Sequence, residues 1–440
     1  MKRLKLLSLA LAALMLVSCA PVDSGTPSSP TEAPGILPAA YESGTVLSAP
    51  TYPKGIGYED YEAQSAAREE IDENYLAGVR AFLIKSATLS LSDTKGKNAL
   101  VSPASLFFAL AMATEGASGT TKEQLLNALG TDEALLRSET AKLFRRLYFE
   151  NEVGSFTAYN SAWLDGRADF DDATLQTLAD SYYASCIAAD FTGTAYKKQI
   201  ADWIYERTNG LLGGDPSAFE VDPATLMLLI NTLYYKDQWM SKFNEENTAA
   251  ADFHNADGSS ASFDFLNGTR SGSFQQTDAF LASSLLLKNG SIRFVLPNDG
   301  VSPEEIVNNE ALFSQAVDSA QSETGFGEVV WQIPKFDYSV ELDLSDTLKA
   351  MGITDAFNSE NADFSGFTQS EKLFLGGVKQ GSKIALDENG IEAASYTELS
   401  FATTSLPTDR AEMVLDKPFL YIVYVGDMPV FVGIVNNLNG

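Results

Sequence analysis

Asp387–Pro418 reads DENGIEAASYTELSFATTSLPTDRAEMVLDKP and carries two readings at once. By context it is a loop. It lies near the C-terminus between two β-like runs, opens on Gly390-Ile391-Glu392-Ala393-Ala394-Ser395, and shows no helical period. Loops of this length are uncommon in compact domains and are usually functional or disordered. By pattern it is a strand. Ile391, Ala393, Ser395, Thr397, Leu399 and Phe401 form an uncharged set; Glu392, Ala394, Tyr396, Glu398, Ser400 and Ala402 alternate with it and hold both carboxylates. That period of two belongs to a half-buried strand.

On either side of this stretch the chain is strongly β-like. Lys372–Leu386 runs straight into it, and Phe419–Val425 and Val430–Val435 follow as two strands joined by Gly426-Asp427-Met428-Pro429. Further upstream, Leu226–Tyr235 is a continuous apolar run, read as a fully buried strand with Asn231 inside it. Alternating runs from Phe253 to Pro297 are separated by Asn- and Gly-rich turns, which are hairpin signals. Val329–Phe336 is another strand and Leu344–Met351 a short helix. The first half is helical instead. Tyr75, Val79, Phe82 and Leu83 recur at helical spacing. Ser102-Pro103 is an N-cap with proline at the first helical position, ahead of a helix apolar on all sides and therefore buried. Phe156–Leu164 is a strand candidate, and helices are expected at Ala173–Ser185 and Lys197–Thr208. Helices early and antiparallel strands late predict one α+β domain.

The body is expected to span 69–440. Residues 1–18 are expected to be a lipoprotein signal peptide: Lys2, Arg3 and Lys5 precede the apolar Leu6–Val17, which is short for a membrane span. The ending Leu16-Val17-Ser18-Cys19 resembles a bacterial lipobox, which would make Cys19 the lipidated first residue of the mature chain; the alternative is ordinary secretion with an incidental cysteine. Ala20 gives no reason for inner-membrane retention, so the protein is expected to be secreted and lipid-anchored on the outer face of the bacterial cell membrane, held by the anchor alone. Residues 19–68 read as a disordered Pro/Ser-rich tether, with seven of the sixteen prolines between Ala20 and Pro53. The one other cysteine, Cys186, sits among small and apolar residues and reads as buried and structural.

With 30 basic against 59 acidic residues, the chain is a poor nucleic-acid binder, since phosphate contacts need clustered Lys and Arg. Catalysis by a Ser-His or Cys-His device would have to use the single histidine, His254, in a turn-like context. No nucleophile elbow, P-loop or Cys-x-x-Cys is present, and no helical pairing supplies a metal site. A carboxylate-only hydrolase has no singled-out pair of residues to support it. The reading is a non-enzyme, with neither cofactor nor metal.

The residues from Ile71 to Gly440 carry a further pattern. Asn98–Ser105 with Glu115–Thr121, Asn231–Trp239 with Phe243, Ile333–Phe336, Leu348–Phe357 with Ala362–Gly366, Asp387–Ala394, Asp416–Phe419 and Phe431–Asn436 together, in this order, resemble the serpins, the serine protease inhibitor family. The resemblance implies helices packed on a large mixed or antiparallel central sheet with two further sheets and an exposed C-terminal reactive loop, here about 388–415. It implies a suicide substrate. A serine protease, or alternatively a cysteine protease, attacks the loop; an acyl-enzyme forms; the cut loop inserts into the main sheet and drags the trapped protease with it. The inserting face would be Ile391, Ala393, Ser395, Thr397 and Leu399, with Glu392 and Glu398 in solvent.

The resemblance also assigns residues. The hinge would be Glu388, Gly390, Ile391, Glu392, Ala393, Ala394 and Ser395. Counting from Gly390 places the reactive bond at Thr404-Ser405, with Leu406 and Arg410 as alternatives. The groups that latch the sheet would be Ser102, Ser105, Asn231, Trp239 and Gln380. Gln380 stands where the family often has a histidine bonded to the central asparagine, and is expected to donate to Asn231. Ile391 is bulkier than the usual first inserting residue, and Tyr396 replaces a small one. Slow insertion would leave a simple protease substrate, or a non-inhibitory binding protein, as the alternative. The partner is a protease, and the chain is expected to act as a monomer.

Overall fold

A computed structural model of the chain describes residues 9–19, 42–318, 323–391 and 409–439, with 9–19 described as backbone. The expected α+β architecture is present: two groups of strands enclose a helical layer.

The main sheet runs in the order Phe336–Asp343, Leu373–Leu386, Leu9–Cys19, Thr225–Gln238, Ser155–Asp165, Ala184–Ala189 and Val46–Ser48. Thr225–Gln238 is buried over its whole length apart from a half-buried Lys236, as its apolar run predicts. Leu373–Leu386 and Thr225–Gln238 each pair antiparallel with Leu9–Cys19, so the two long strands run parallel to each other with one strand's width between them.

The second group runs Asp409–Val414, Gly325–Pro334, Ser260–Gln276, Phe280–Leu286, Gly290–Pro297, Phe419–Val425, Met428–Val435 and Ala99–Val101. The two further sheets are continuous here. Ser260–Gln276 is 17 residues long and hands over from Gly325–Pro334 on one side to Phe280–Leu286 at its C-terminal end.

Pro103–Glu115 lies at the centre. Ser102 caps it by accepting from the Ser105 N–H at 3.1 Å, and every residue from Pro103 to Thr114 is buried. This helix packs under the main sheet and fills the largest apolar cluster with Leu229, Leu233 and Tyr235 of the central strand. On the opposite face of that strand, Leu228 and Ile230 pack against Ile200 and Ile204 of the helix Ala195–Arg207.

Three sequence expectations need correction. The helix expected to reach Ser185 stops at Tyr182, and Ala184–Ala189 is a buried strand parallel to Ser155–Asp165. Tyr183 adopts φ +54° and ends the helix in the left-handed region. Its Ala- and Ser-rich continuation has no large residues to mark a period of two. Residues 42–68 are not an unstructured tether. Val46–Ser48 pairs with the edge strand at Cys186–Ile187, satisfying backbone groups an open edge leaves free. The Tyr52 hydroxyl donates to the Tyr183 carbonyl at 3.2 Å, and Tyr61–Ala66 forms a helix capped by Asp60.

The N-terminal apolar segment, read as part of a signal peptide that export would remove, is extended in the uncleaved chain. Leu9–Cys19 forms an eleven-residue strand of the main sheet. The parallel pair on either side offers two rows of unpaired backbone groups, and an extended apolar segment of that length satisfies both. The third correction concerns the end of the loop. Asp409–Val414 is a strand, parallel to Gly325–Pro334, so the stretch without regular structure is shorter than its context implied. Cys186 is buried as expected: its thiol donates to the Leu175 carbonyl at 3.7 Å, and burial pushes its pKa up to about 11.

Candidate functional site: a slot in the main sheet and its two ends

The slot between Thr225–Gln238 and Leu373–Leu386 is the organising feature of the site. Two polar clusters sit on it, one under its middle and one at its upper end.

Under the middle, neutral groups lock the sheet to the buried helix. The Gln380 side-chain oxygen accepts from the Ser102 N–H at 2.9 Å, and its amide nitrogen donates to the Ser102 carbonyl at 3.0 Å. The Ser102 hydroxyl donates to the Val430 carbonyl at 2.7 Å, tying in the second group of strands. The Ser105 hydroxyl donates to the Asn231 side-chain oxygen, and the Asn231 amide donates to Asn160 on the neighbouring strand. All five residues are fully buried. The expected Gln380–Asn231 hydrogen bond is therefore not made. A full strand position separates the two residues, and each is satisfied on its own side of the slot.

At the upper end the chain leaves Leu386, turns through Asp387–Asn389 and starts back down the other side. Gly390 pairs with Gln238 and Ile391 with Asp237. The turn is held from several directions. The Trp239 indole N–H donates to the Asp387 carbonyl at 2.9 Å, and the Trp239 backbone N–H to the Asn389 carbonyl at 3.0 Å. Lys242 donates to the Asn389 side chain at 3.1 Å. Gly390 has φ +142°, and a Cβ on it would lie 2.3 Å from the Asp237 carbonyl oxygen. Only glycine permits this approach.

Two carboxylates flank the turn. Glu388 pairs with Lys335 at 2.9 Å and accepts from the Thr248 hydroxyl at 2.7 Å. Its partial burial raises the pKa, but the Lys335 and Thr248 contacts outweigh this and the net shift is downward. Asp237 is fully buried. Lys335 and Thr248 were not picked out from the sequence, since neither belongs to a recognisable local pattern with Glu388. The one signal was Ile333-Pro334-Lys335-Phe336, read as part of a strand block.

The other expected residues divide clearly. Ser102, Ser105, Asn231, Trp239, Gln380, Glu388, Gly390 and Ile391 all gather on the slot. Glu392, Ala393, Ala394, Ser395, Thr404, Ser405 and Leu406 lie outside the described residues. Arg410 is no loop residue. It stands in the strand Asp409–Val414, ion-paired with Glu328 and, at 3.5 Å, with Glu412. A protease cleft needs an extended segment free of its neighbours, which a paired strand does not offer. His254 is exposed at the end of Ala249–His254, where its Nδ1 lies 2.8 Å from the Ser260 hydroxyl across the hairpin.

The sequence profile of the family described as "Serpin (serine protease inhibitor)" matches residues 79–438. An alpha-1-antitrypsin-like protein of Tamias sibiricus is 28% identical over 424 residues, 91% of this chain and 99% of the relative. Serpin B11 of Mus musculus is 28% identical over 76% of this chain and 91% of its own. Among solved structures, the native state of the thermophilic serpin tengpin superposes with a TM-score of 0.73 at 24% identity, covering 84% of this chain and 96% of its own. Thyroxine-binding globulin in complex with thyroxine gives 0.67 at 22% identity, over 86% and 100%. The slot, its turn and the profile match agree, and the chain belongs to the serpin family.

Proposed function

We propose that this protein inhibits a serine protease as a suicide substrate, by cleavage of the 392–408 segment, covalent trapping and insertion of the cut segment into the slot. The observation that carries this is register. Gly390 opposite Gln238 and Ile391 opposite Asp237 are the first two rungs of an antiparallel ladder. Continued without a break, the ladder brings Ala393 opposite Tyr235, Ser395 opposite Leu233, Thr397 opposite Asn231, Leu399 opposite Leu229 and Phe401 opposite Met227. Residues directly opposite in an antiparallel pair share a face. Each of these partners points to the core beneath the sheet, so the uncharged set of the loop meets the buried face.

The outward set also finds partners. Glu392 comes opposite Lys236. Leu9–Leu16 shows how a strand in the slot pairs with Leu373–Leu386; by that pairing Glu398 comes opposite Lys379 and Tyr396 opposite Gly381. Nothing lies within 4 Å of a Cβ built on Gly381, which leaves room for a ring. Both loop carboxylates thus gain a cross-strand lysine instead of staying in open solvent, and opposite charges across a pair are favourable. The bulk of Tyr396 has a place to go.

Insertion requires the slot to be vacant. Export with removal of Met1–Ser18 would clear it, leaving Cys19 as the lipidated first residue and the chain anchored on the outer face of the membrane, acting as a monomer. Among the described residues no helix is long and apolar enough to cross a membrane. Replacement of Cys19 by Ala should release the protein from the membrane fraction.

The test of inhibition is to mix the exported protein with elastase, subtilisin and trypsin. A covalent complex stable in SDS, with the protease joined at Thr404 or Leu406, is the expected product. Cleavage without complex by every protease, and no rise in melting temperature after cleavage, would show a passive arm and a non-inhibitory binding protein.

A further inference from the structure

Leu9–Cys19 lies in the slot at the depth the cut loop would need. It runs antiparallel to Thr225–Gln238, from Leu9 opposite Tyr235 to Ser18 opposite Thr225. It also runs antiparallel to Leu373–Leu386, from Ala10 opposite Lys383 to Cys19 opposite Leu373. A strand inside a sheet uses its N–H and C=O groups on both sides, so both backbone edges that face the slot are taken over the same stretch.

The register puts this segment in line with the hinge. Gly390 stands opposite Gln238 and Ile391 opposite Asp237. Leu9 stands opposite Tyr235, two positions further down the same side of the same strand. The two pieces thus lie end to end in one strand position, Gly390-Ile391 at the top and Leu9–Cys19 below. One position, that opposite Lys236, separates them. A ladder begun by Gly390 and Ile391 cannot pass that position while Leu9 holds Tyr235.

The exclusion extends along the whole ladder. Ala393 would need Tyr235, Thr397 would need Asn231 and Leu399 would need Leu229; these are the partners of Leu9, Ala13 and Met15. On the other side Gly381, the place for Tyr396, is the partner of Ala12. The composition of Leu9–Val17 also suits a central strand. It holds no charge, no proline and no glycine, and proline would remove a ladder donor.

We propose that Leu9–Cys19 is an autoinhibitory strand. While it belongs to the chain it holds the place of the cut loop, and its removal makes the inhibitor competent. This rests on the loop-insertion reading for what the segment blocks, though not for its seat in the slot. The removing step is hydrolysis of the Ser18–Cys19 peptide bond, the cut expected from the lipobox-like ending. One water is consumed, Ser18 keeps a carboxylate and Cys19 gains a free amino group. All of the strand except Cys19 goes with the released piece. Once detached, the piece loses the high effective concentration that a covalent link provides. A chain that folds unprocessed is then a stable protein whose loop can be cut but cannot trap the protease that cuts it.

The test compares three proteins: the full chain produced without export, the exported and processed protein, and the full chain carrying Ala12→Pro and Leu14→Pro. Two prolines in a strand paired on both sides should vacate the slot without shortening the chain. In the full chain the amides of residues 10–18 should exchange hydrogen about a hundredfold more slowly than in the proline variant. The full chain should melt about 10 °C or more above the processed protein, and the proline variant should melt with the processed one. Mixed with elastase, subtilisin and trypsin, the processed protein and the proline variant should form the covalent complex. The full chain should form it at least about tenfold less and be cut instead. Equal melting of the full chain and its proline variant, with freely exchanging amides, overturns the inference, while a covalent complex from the processed protein still upholds loop insertion. A full chain that traps protease as fast as the processed protein also overturns it. Slow exchange and raised melting of the full chain, with no covalent complex from any of the three, leaves the segment in its seat and overturns the inhibitor reading and the autoinhibition together.

Discussion

The middle and the upper end of the slot solve the same problem with different chemistry. Under the middle, Ser102, Ser105, Asn160, Asn231 and Gln380 are neutral, fully buried and mutually bonded, and nothing there titrates between pH 4 and 9. At the top, Glu388 and Asp237 are carboxylates on either side of one turn. The lower cluster fixes where the sheet sits on its helix, whatever the pH. The upper cluster fixes where the returning strand begins, and it does so with charge. The loop insertion proposed above would be served by this division: an insensitive lock under the middle and a charged start above.

The sharpest way to break the upper end is Gly390→Ala. A Cβ 2.3 Å from the Asp237 carbonyl, on a backbone at φ +142°, cannot be accommodated without moving the turn. Stability of the uncut protein should fall by about 3 kcal/mol, the upper range for such strained positions. Trp239 should report the movement, because its indole N–H is bonded to Asp387. Its fluorescence is expected to shift to the red as the turn lifts, and an unchanged spectrum would mean the turn is not held as described.

Under the middle of the slot the largest effect should come from Asn231→Ala. It strands the Ser105 hydroxyl and the Asn160 amide oxygen in a dry interior, at a cost of about 2–3 kcal/mol. Gln380→Ala is milder, about 1–2 kcal/mol, since it leaves only the Ser102 N–H without a partner, the Ser102 carbonyl still accepting the Leu106 N–H at 3.2 Å. If the comparison holds, urea midpoints of both variants drop by an amount that does not change between pH 5 and pH 8. A pH-dependent difference would mean the lower cluster is coupled to a titrating group.

Much of this was legible in the chain because the informative residues are local. Ser102-Pro103 announces its helix, Asn231 stands out inside an apolar strand, and the alternation after Gly390 shows a face before any partner for it is known. What was not legible depends on distance. Gln380 was assigned to Asn231 because the sequence cannot show that a strand's width lies between them. Lys335 and Glu388 are far apart in the chain and meet only through the fold. Asp237 reads as an ordinary polar residue at the end of a strand until its burial is known. Arg410 looked available because its ladder partner, Gly325–Pro334, lies far upstream. Residues 42–68 looked like a tether because their composition carries no sign of the edge strand that captures Val46–Ser48.

The smallest effect is also the one that separates the two upper carboxylates. Glu388→Gln removes the ion pair with Lys335 and keeps the shape. Glu388 has a lowered folded-state pKa, so its contribution is present above the unfolded value near 4.3 and is lost as pH falls through the folded value below it. Asp237 works in the opposite sense. Its folded-state value is raised to about 6, so its charge is a cost at neutral pH that disappears as pH falls toward the unfolded value near 3.9. Between pH 7 and pH 5, then, Glu388 contributes a constant amount and Asp237 a changing one. The Glu388→Gln variant should lose about 1 kcal/mol at both pH values, less in high salt, because the lysine of the pair is partly exposed. Its pH profile should stay parallel to that of the wild type down to about pH 5, set by the proton on Asp237. A Glu388→Gln profile that flattens in this range would transfer the pH response from Asp237 to Glu388.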